Sequence, residues 1–390
     1  MGAAGSGAAP SDGGEPDVSA AGASGAGHGP TEVDAGDAGE DSGQDAAAAS
    51  ASVALVRCQS YGTSVVAGAL RQAFDLIGGI DTLVGGKTVT VKVNLTGDHF
   101  QRLFERSPGE SYVTHGSTAL ALAGLLFERG ARRVRFVESA SFDARLEEVV
   151  VAAGWDVAAL AATGDVGFEN TRNLGASASY ARVLVPEGRL LYQYFEVNRA
   201  YVDTDILISL AKLKQHAIAG VTLATKNLFG ITPTALYSNQ AAAGEAALGH
   251  RLVMHSRAEQ PELALPGELP GFLQHDPGYR VPRIIADLLA ARPVDLAIVD
   301  GITSMRGGEG PWQPDLGFVE PGVLVVGKNA VSTDAVAAQV MGVDPLAEGA
   351  SAFVAGDNHL LLAQRAGLGT ADPSQIEVRG LSVVEARYVF

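Results

Sequence analysis

From Ser52 onward, short apolar runs alternate with longer segments whose apolar positions recur every three or four residues. The runs "SVALVRC", "KTVTVKVNL", "RRVRFVES", "TDILISLAKL", "VDLAIVDGI" and "GVLVVG" predict strands. Between them, "SVVAGALRQAFDLIGG", "HGSTALALAGLLFERGA", "FDARLEEVVVAAGW", "RIIADLLAA" and "STDAVAAQVMG" carry the helical spacing, several stopped by glycine. Strands that alternate with helices predict an α/β fold, a mostly parallel sheet with helices on both faces. Residues 256–282 are rich in Pro and Gly and predict a connecting loop between two α/β halves, 52–255 and 283–390.

Composition changes this picture only at the start of the chain. Residues 1–51 are Ala, Gly, Ser and acidic residues with almost no large side chains, a composition that predicts a disordered leader. The first fifty residues hold nine acids and no Lys or Arg, so the net charge of −16 falls to −7 for the rest. That balance offers no basic stripe and argues against a nucleic-acid partner. No apolar run is long enough for a membrane span. As written the chain begins without a signal peptide, which places it in the cytoplasm; a trimmed start would make it exported or periplasmic. The single cysteine, Cys58, rules out an all-cysteine iron–sulfur or zinc cage and reads as a small core residue.

In open α/β sheets ligands gather beyond the carboxyl ends of the strands. Lys92, Asn94, Glu138, Lys212, Lys214, Asp300, Lys328 and Asn329 all stand at such positions. Lysine is scarce, six among 28 basic residues, yet Lys212, Lys214 and Lys226 fall within fifteen positions. Lysine offers a compact ammonium and a pKa that burial lowers, neither of which arginine supplies. The cluster therefore predicts a site for a small anionic molecule, with Lys92, Asn94, Lys212, Lys214, Thr222, Asn227, Asp300, Lys328 and Asn329 as ligand-binding candidates. His216 and Lys226 are the catalytic candidates, because positive neighbours favour a neutral imidazole able to act as a base. The loop "GGEGPW" after Asp300 either makes turns or borders that site. No Walker-type or dinucleotide loop accompanies the cluster, and the histidine spacing assigns no metal.

The stretches "KLKQHAIAGVTLATKNLFG", "VGKNAVSTDAVAAQVMGVDP" and "HLLLAQRAGLG" resemble domain-of-unknown-function family 362 over about residues 53–390. Many members of that family carry a cysteine-rich segment with four-iron clusters; this chain has none, so no iron–sulfur cluster is expected. A more local likeness is to the nickel-pincer lactate racemase family. Here "NRAYVDTDILISL" leads to His216, Gly220, Thr222 and Lys226 at that family's offsets. The resemblance implies that His216 moves a proton and that Lys226 anchors a nickel-pincer-type cofactor. Ala242 stands where that family's nickel-binding histidine falls, and the strand end at Glu138 also lacks one.

The combined expectation is an enzyme acting on a small anionic substrate by Lys/His-assisted proton transfer, racemase- or isomerase-like. The alternative is a non-catalytic protein that binds an anionic ligand or cofactor in the same cleft. Neither reading fixes the oligomeric state.

Overall fold

The computed structural model describes residues 52–95, 100–140, 144–172, 179–241, 251–256, 258, 260–270, 276–349 and 356–390. The leader expected over 1–51 and the alanine at position 242 lie outside them.

The elements that place the site are strand β1 (Ser52–Arg57), helix α1 (Thr63–Leu76), β2 (Thr88–Lys92), α2 (Gly116–Glu128), β3 (Arg133–Glu138) and β4 (Val166–Asn170). They are followed by β5 (Ile206–Lys212), the short helix α3 (Leu223–Asn227), α4 (Pro277–Ala291), β6 (Leu296–Gly301), β7 (Val323–Gly327), α5 (Ala330–Val340) and β8 (Glu377–Gly380). The eight strands form one sheet in the order β8-β1-β7-β6-β5-β2-β3-β4. All neighbours are parallel except β7, which runs antiparallel to both β1 and β6.

Alternation along each strand divides the core between the two faces of the sheet. Val53, Leu55, Leu207, Ala211, Ala297 and Val299 pack on the face covered by α3, α4 and α5. Ala54, Val56, Val89, Val91, Phe136, Ile208 and Ile298 pack on the face covered by α1 and α2. Strand β5 is buried over its whole length, as expected of a central strand covered on both sides.

Helix α4 begins at Pro277, inside the stretch expected to be loop. Asp276 caps it by accepting from the Tyr279 N–H, and Pro277 occupies the first turn, where its missing N–H costs nothing. Among the described residues no helix is long and apolar enough to cross a membrane.

Candidate functional site

A cavity of about 680 Å³ opens beyond the carboxyl ends of β2 and β3. Lys92, Asn94, His216, Thr222, Lys226 and Asn227 line it, so six of the expected site residues meet although the sequence separates them widely.

The segment after β5 builds one wall. Residues Gln215–His216 and Gly220–Val221 form a two-stranded hairpin in which His216 pairs with Gly220. Gly220 turns the chain at φ +75°, a conformation that favours glycine. The chain then enters α3 through Leu223, which holds φ +45° despite its branched side chain. Asp334 on α5 holds that bend: its carboxylate accepts from the N–H of Ala224 (2.8 Å), the N–H of Thr225 (2.7 Å) and the Thr225 hydroxyl (2.6 Å). Asn227 ties α3 to the sheet by donating to the Lys92 carbonyl (3.2 Å) and to Ser209 Oγ (3.1 Å). Hairpin and helix together fix the spacing from His216 through Gly220 and Thr222 to Lys226.

Lys226 presents its amine to the cavity. Its Nζ has no hydrogen-bond partner among the described residues and stands 4.3 Å from the centre of the Phe229 ring. Burial lowers its pKa to about 7; the Glu309 carboxylate pulls the other way, and Arg251 and Lys92 add to the lowering. The Thr222 hydroxyl is also buried without a hydrogen-bond partner among the described residues.

His216 has its proton fixed by the backbone. Its Nδ1 accepts from the N–H of Ile218 (3.1 Å) and of Ala219 (3.2 Å). Burial, then the charge of Lys226, drives its pKa well below the ordinary histidine value, so the ring stays neutral. A neutral imidazole has one N–H, and with Nδ1 accepting, that proton sits on Nε2. His216 therefore lines the cavity with its proton on Nε2.

A second imidazole has the opposite arrangement. His255, at the end of the short helix Leu252–His255, places Nδ1 2.7 Å from the Arg251 carbonyl. A carbonyl only accepts, so Nδ1 carries the proton and Nε2 keeps its lone pair. Burial and the charge of Lys226 lower the pKa of His255 to about 4.

The cavity floor is a buried ion pair, Lys92 Nζ to Glu138 Oε1 at 2.8 Å. Glu138 also accepts from the N–H groups of Leu95 (2.9 Å) and Ser139 (3.0 Å). The pair fits only because residue 230 is glycine: a Cβ there would stand 2.8 Å from both Glu138 Oε1 and Lys92 Nζ. Arg251 borders the same cavity and is anchored by Nε donating to the Thr232 carbonyl (2.8 Å).

The remaining expected residues lie elsewhere. Lys212 and Asp300 are partners across β5 and β6 and face the opposite side of the sheet from Lys92. They form a buried ion pair at 3.6 Å, with Lys212 also donating to the Tyr61 hydroxyl (2.5 Å) and the Gly109 carbonyl (2.7 Å). Lys214 donates to the carbonyls of Tyr112 (2.6 Å) and Glu309 (2.8 Å), pinning two loops. None of these three lines the cavity. Lys328 is exposed, and Asn329 caps α5 by accepting from the Ser332 N–H (3.0 Å). Because β7 is antiparallel, with Gly327 level with Ala297, its carboxyl end lies at the far end of the sheet. Glu309 and Trp312, from the loop "GGEGPW", line the cavity, and Arg251 and His255 complete the wall without having been singled out, since no spacing in the sequence ties those two to the lysines.

A family model described as Domain of unknown function (DUF362) matches residues 89–339. A thylakoid-associated protein of Synechocystis sp. is 29% identical over 263 residues, which cover 64% of this chain and 74% of that protein. Among solved structures, the lactate racemase apoprotein from Thermoanaerobacterium thermosaccharolyticum aligns at 15% identity and TM-score 0.35, covering 68% of this chain and 53% of its own. A protein from Thermotoga maritima aligns at 14% identity and TM-score 0.35, covering 72% and 59%. The chain thus spans little more than half the length of either structure.

Proposed function

Since this chain belongs to the DUF362 family, described as a domain of unknown function, we propose a reading that rests on its own cavity: an enzyme that moves a proton on an anionic substrate. The observation that carries it is the Lys226 amine, buried, open to the cavity and with its pKa lowered to about 7. An amine in that range is neutral often enough at neutral pH to take a proton, and its conjugate acid is strong enough to return it. The Glu309 carboxylate favours the ammonium that forms. The Nε2–H of His216 supplies a donor for an oxygen on which charge develops, as a neutral imidazole can. His255 Nε2 accepts a hydrogen bond from the substrate. Arg251 and the Thr222 hydroxyl hold the substrate's anionic group.

A nickel-pincer group, as the sequence resemblance implies, does not fit these residues. Such a cofactor needs an imidazole lone pair on the metal near the anchoring lysine. Among the described cavity residues His216 offers none, and His255 Nε2 is a single such lone pair, without the grouped donors that would complete a metal site. Among the described residues no three His, Cys, Asp or Glu side chains are grouped to hold a metal ion. No step is derived through that group.

The rival reading is a protein that only holds an anion, for which Arg251 and the charged form of Lys226 suffice. Solvent exchange separates the two. Wild-type protein and Lys226→Ala are incubated in D2O with pooled small carboxylic and phosphorylated acids, and each acid is examined by mass spectrometry. Deuterium entering one acid in the presence of wild type, and lost with Lys226→Ala, supports the enzyme. An acid that binds in a thermal-shift screen yet gains no deuterium supports the binding protein.

A further inference from the structure

The cavity is larger and more apolar than a small anion needs. Its volume of about 680 Å³ falls in the range of sites for drug-sized ligands. Its cationic groups are few, since Lys92 is already neutralised by Glu138. Ile218, Phe229, Leu252 and Trp312 supply apolar lining.

Trp312 is the unusual member. It is 52% exposed, and Leu252 is 47% exposed, so two large apolar side chains stand bare at one cavity. Trp312 is nonetheless held in place. Its indole N–H donates to Glu309 Oε1 at 3.0 Å, and Gln313 donates to the same oxygen at 2.9 Å. The other Glu309 oxygen accepts from the Ala217 N–H at 2.9 Å, beside His216. One side of the ring rests on the chain at Gly310, where a Cβ would come within 2.3 Å of the indole. Any other residue at 310 would displace the ring. A tryptophan fixed by its polar edge and seated on a glycine keeps apolar surface exposed for a partner, and aromatic rings are the partners such a surface prefers.

We propose that the ligand of this site is an aryl-bearing carboxylate, its anionic head at Arg251 and the Thr222 hydroxyl beside Lys226 and its ring against Trp312. The proposal rests on the anionic-site reading above and narrows it from a small anion to an amphipathic one. Trp312 is a specificity-determining residue in this arrangement and takes no part in the proton transfer. Glu309 connects the indole to the amine, because the same carboxylate holds the indole and favours the charged form of Lys226.

The test is calorimetric titration of the full chain with acetate, hexanoate, 3-phenylpropionate and the neutral 3-phenylpropionamide, for wild type, Trp312→Ala and Trp312→Phe. In wild type, 3-phenylpropionate binds about tenfold or more tighter than acetate or hexanoate, the gain expected from apolar burial plus a ring–ring contact. Trp312→Ala removes that preference, while Trp312→Phe, which keeps a ring but loses the N–H that anchors it, keeps part of it. Circular dichroism melts confirm that the variants fold; if the alanine variant does not, Trp312→Leu, which keeps bulk without a ring, carries the test and should lose the preference. If 3-phenylpropionate binds no better than hexanoate, or its advantage survives Trp312→Ala, the aryl proposal is overturned and the anionic site stands. If no carboxylate binds, or the amide binds as well as the acid, the anionic site falls and takes this proposal with it.

Discussion

Replacing Gly230 with alanine tests the floor of the site without touching a charged residue. The added methyl would lie 2.8 Å from Glu138 Oε1, 2.8 Å from Lys92 Nζ and 3.0 Å from Lys92 Cε. Both side chains are almost fully buried, so neither has water to retreat into. If the pair separates, an uncompensated buried charge costs about 3–5 kcal/mol. If the pair holds and the surroundings give way, overpacking costs about 1–3 kcal/mol. The molecule takes the cheaper route, so the expected loss is about 1–3 kcal/mol, near 2 °C to 10 °C in melting temperature for a large domain. The control is Gly124→Ala in α2, where a Cβ meets nothing within 4 Å. There alanine should stabilise by about 0.5–1 kcal/mol, the ordinary helix gain. Urea unfolding followed by far-ultraviolet circular dichroism measures both. Equal effects at positions 230 and 124 would refute the close approach of Gly230 to the ion pair.

Three further outcomes follow from the same geometry. Lys226→Arg should hold a bound carboxylate within about tenfold of wild type, because charge survives, yet abolish deuterium exchange, because guanidinium does not deprotonate. Lys226→Met should raise thermal stability, since methionine fills the space without a desolvated amine. The sign follows from a pKa lowered from 10.5 to about 7: the folded state bears the full cost below pH 7 and is relieved as pH rises toward 10.5, so the gain shrinks over that window. His255, lowered to about 4, stays neutral in the folded chain while the unfolded chain takes up a proton below about 6.5. Wild type should therefore lose on the order of 2 kcal/mol relative to His255→Gln between pH 6.5 and 4, read from urea unfolding at a series of pH values.

Much of the fold was legible because alternation and helical spacing are local properties. Strand β5 shows this most clearly, as one continuous buried run; the hairpin at Gly220 and the short helix α3 after it carry no such pattern and were not expected. Strand direction is not local, and there the strand-end rule misled. "GVLVVG" reads the same whichever way it runs, so Lys328 and Asn329 were expected beside Lys92 when the antiparallel β7 carries them to the far end. Facing is not local either at strand ends; the residue parity of Lys212 and Asp300 sends both to the other side of the sheet, where burial is satisfied by Tyr61 and Thr118. His255 and Arg251 reach the cavity from a segment after the site motif, through tertiary packing that no spacing announces. The tautomer of His216 depends on two backbone N–H groups in a turn, which the sequence does not display.

The proposed proton transfer turns on a single amine, and its ionisation can be measured directly. Competitive labelling of the full chain with trace acetic anhydride across pH 5–11, read by peptide mass spectrometry, gives the reactivity of Lys226 against the exposed Lys328 in the same tube. The expected labelling midpoint for Lys226 is at about pH 7, shifted when 3-phenylpropionate is present. A midpoint near 10.5, unmoved by any carboxylate, would contradict it.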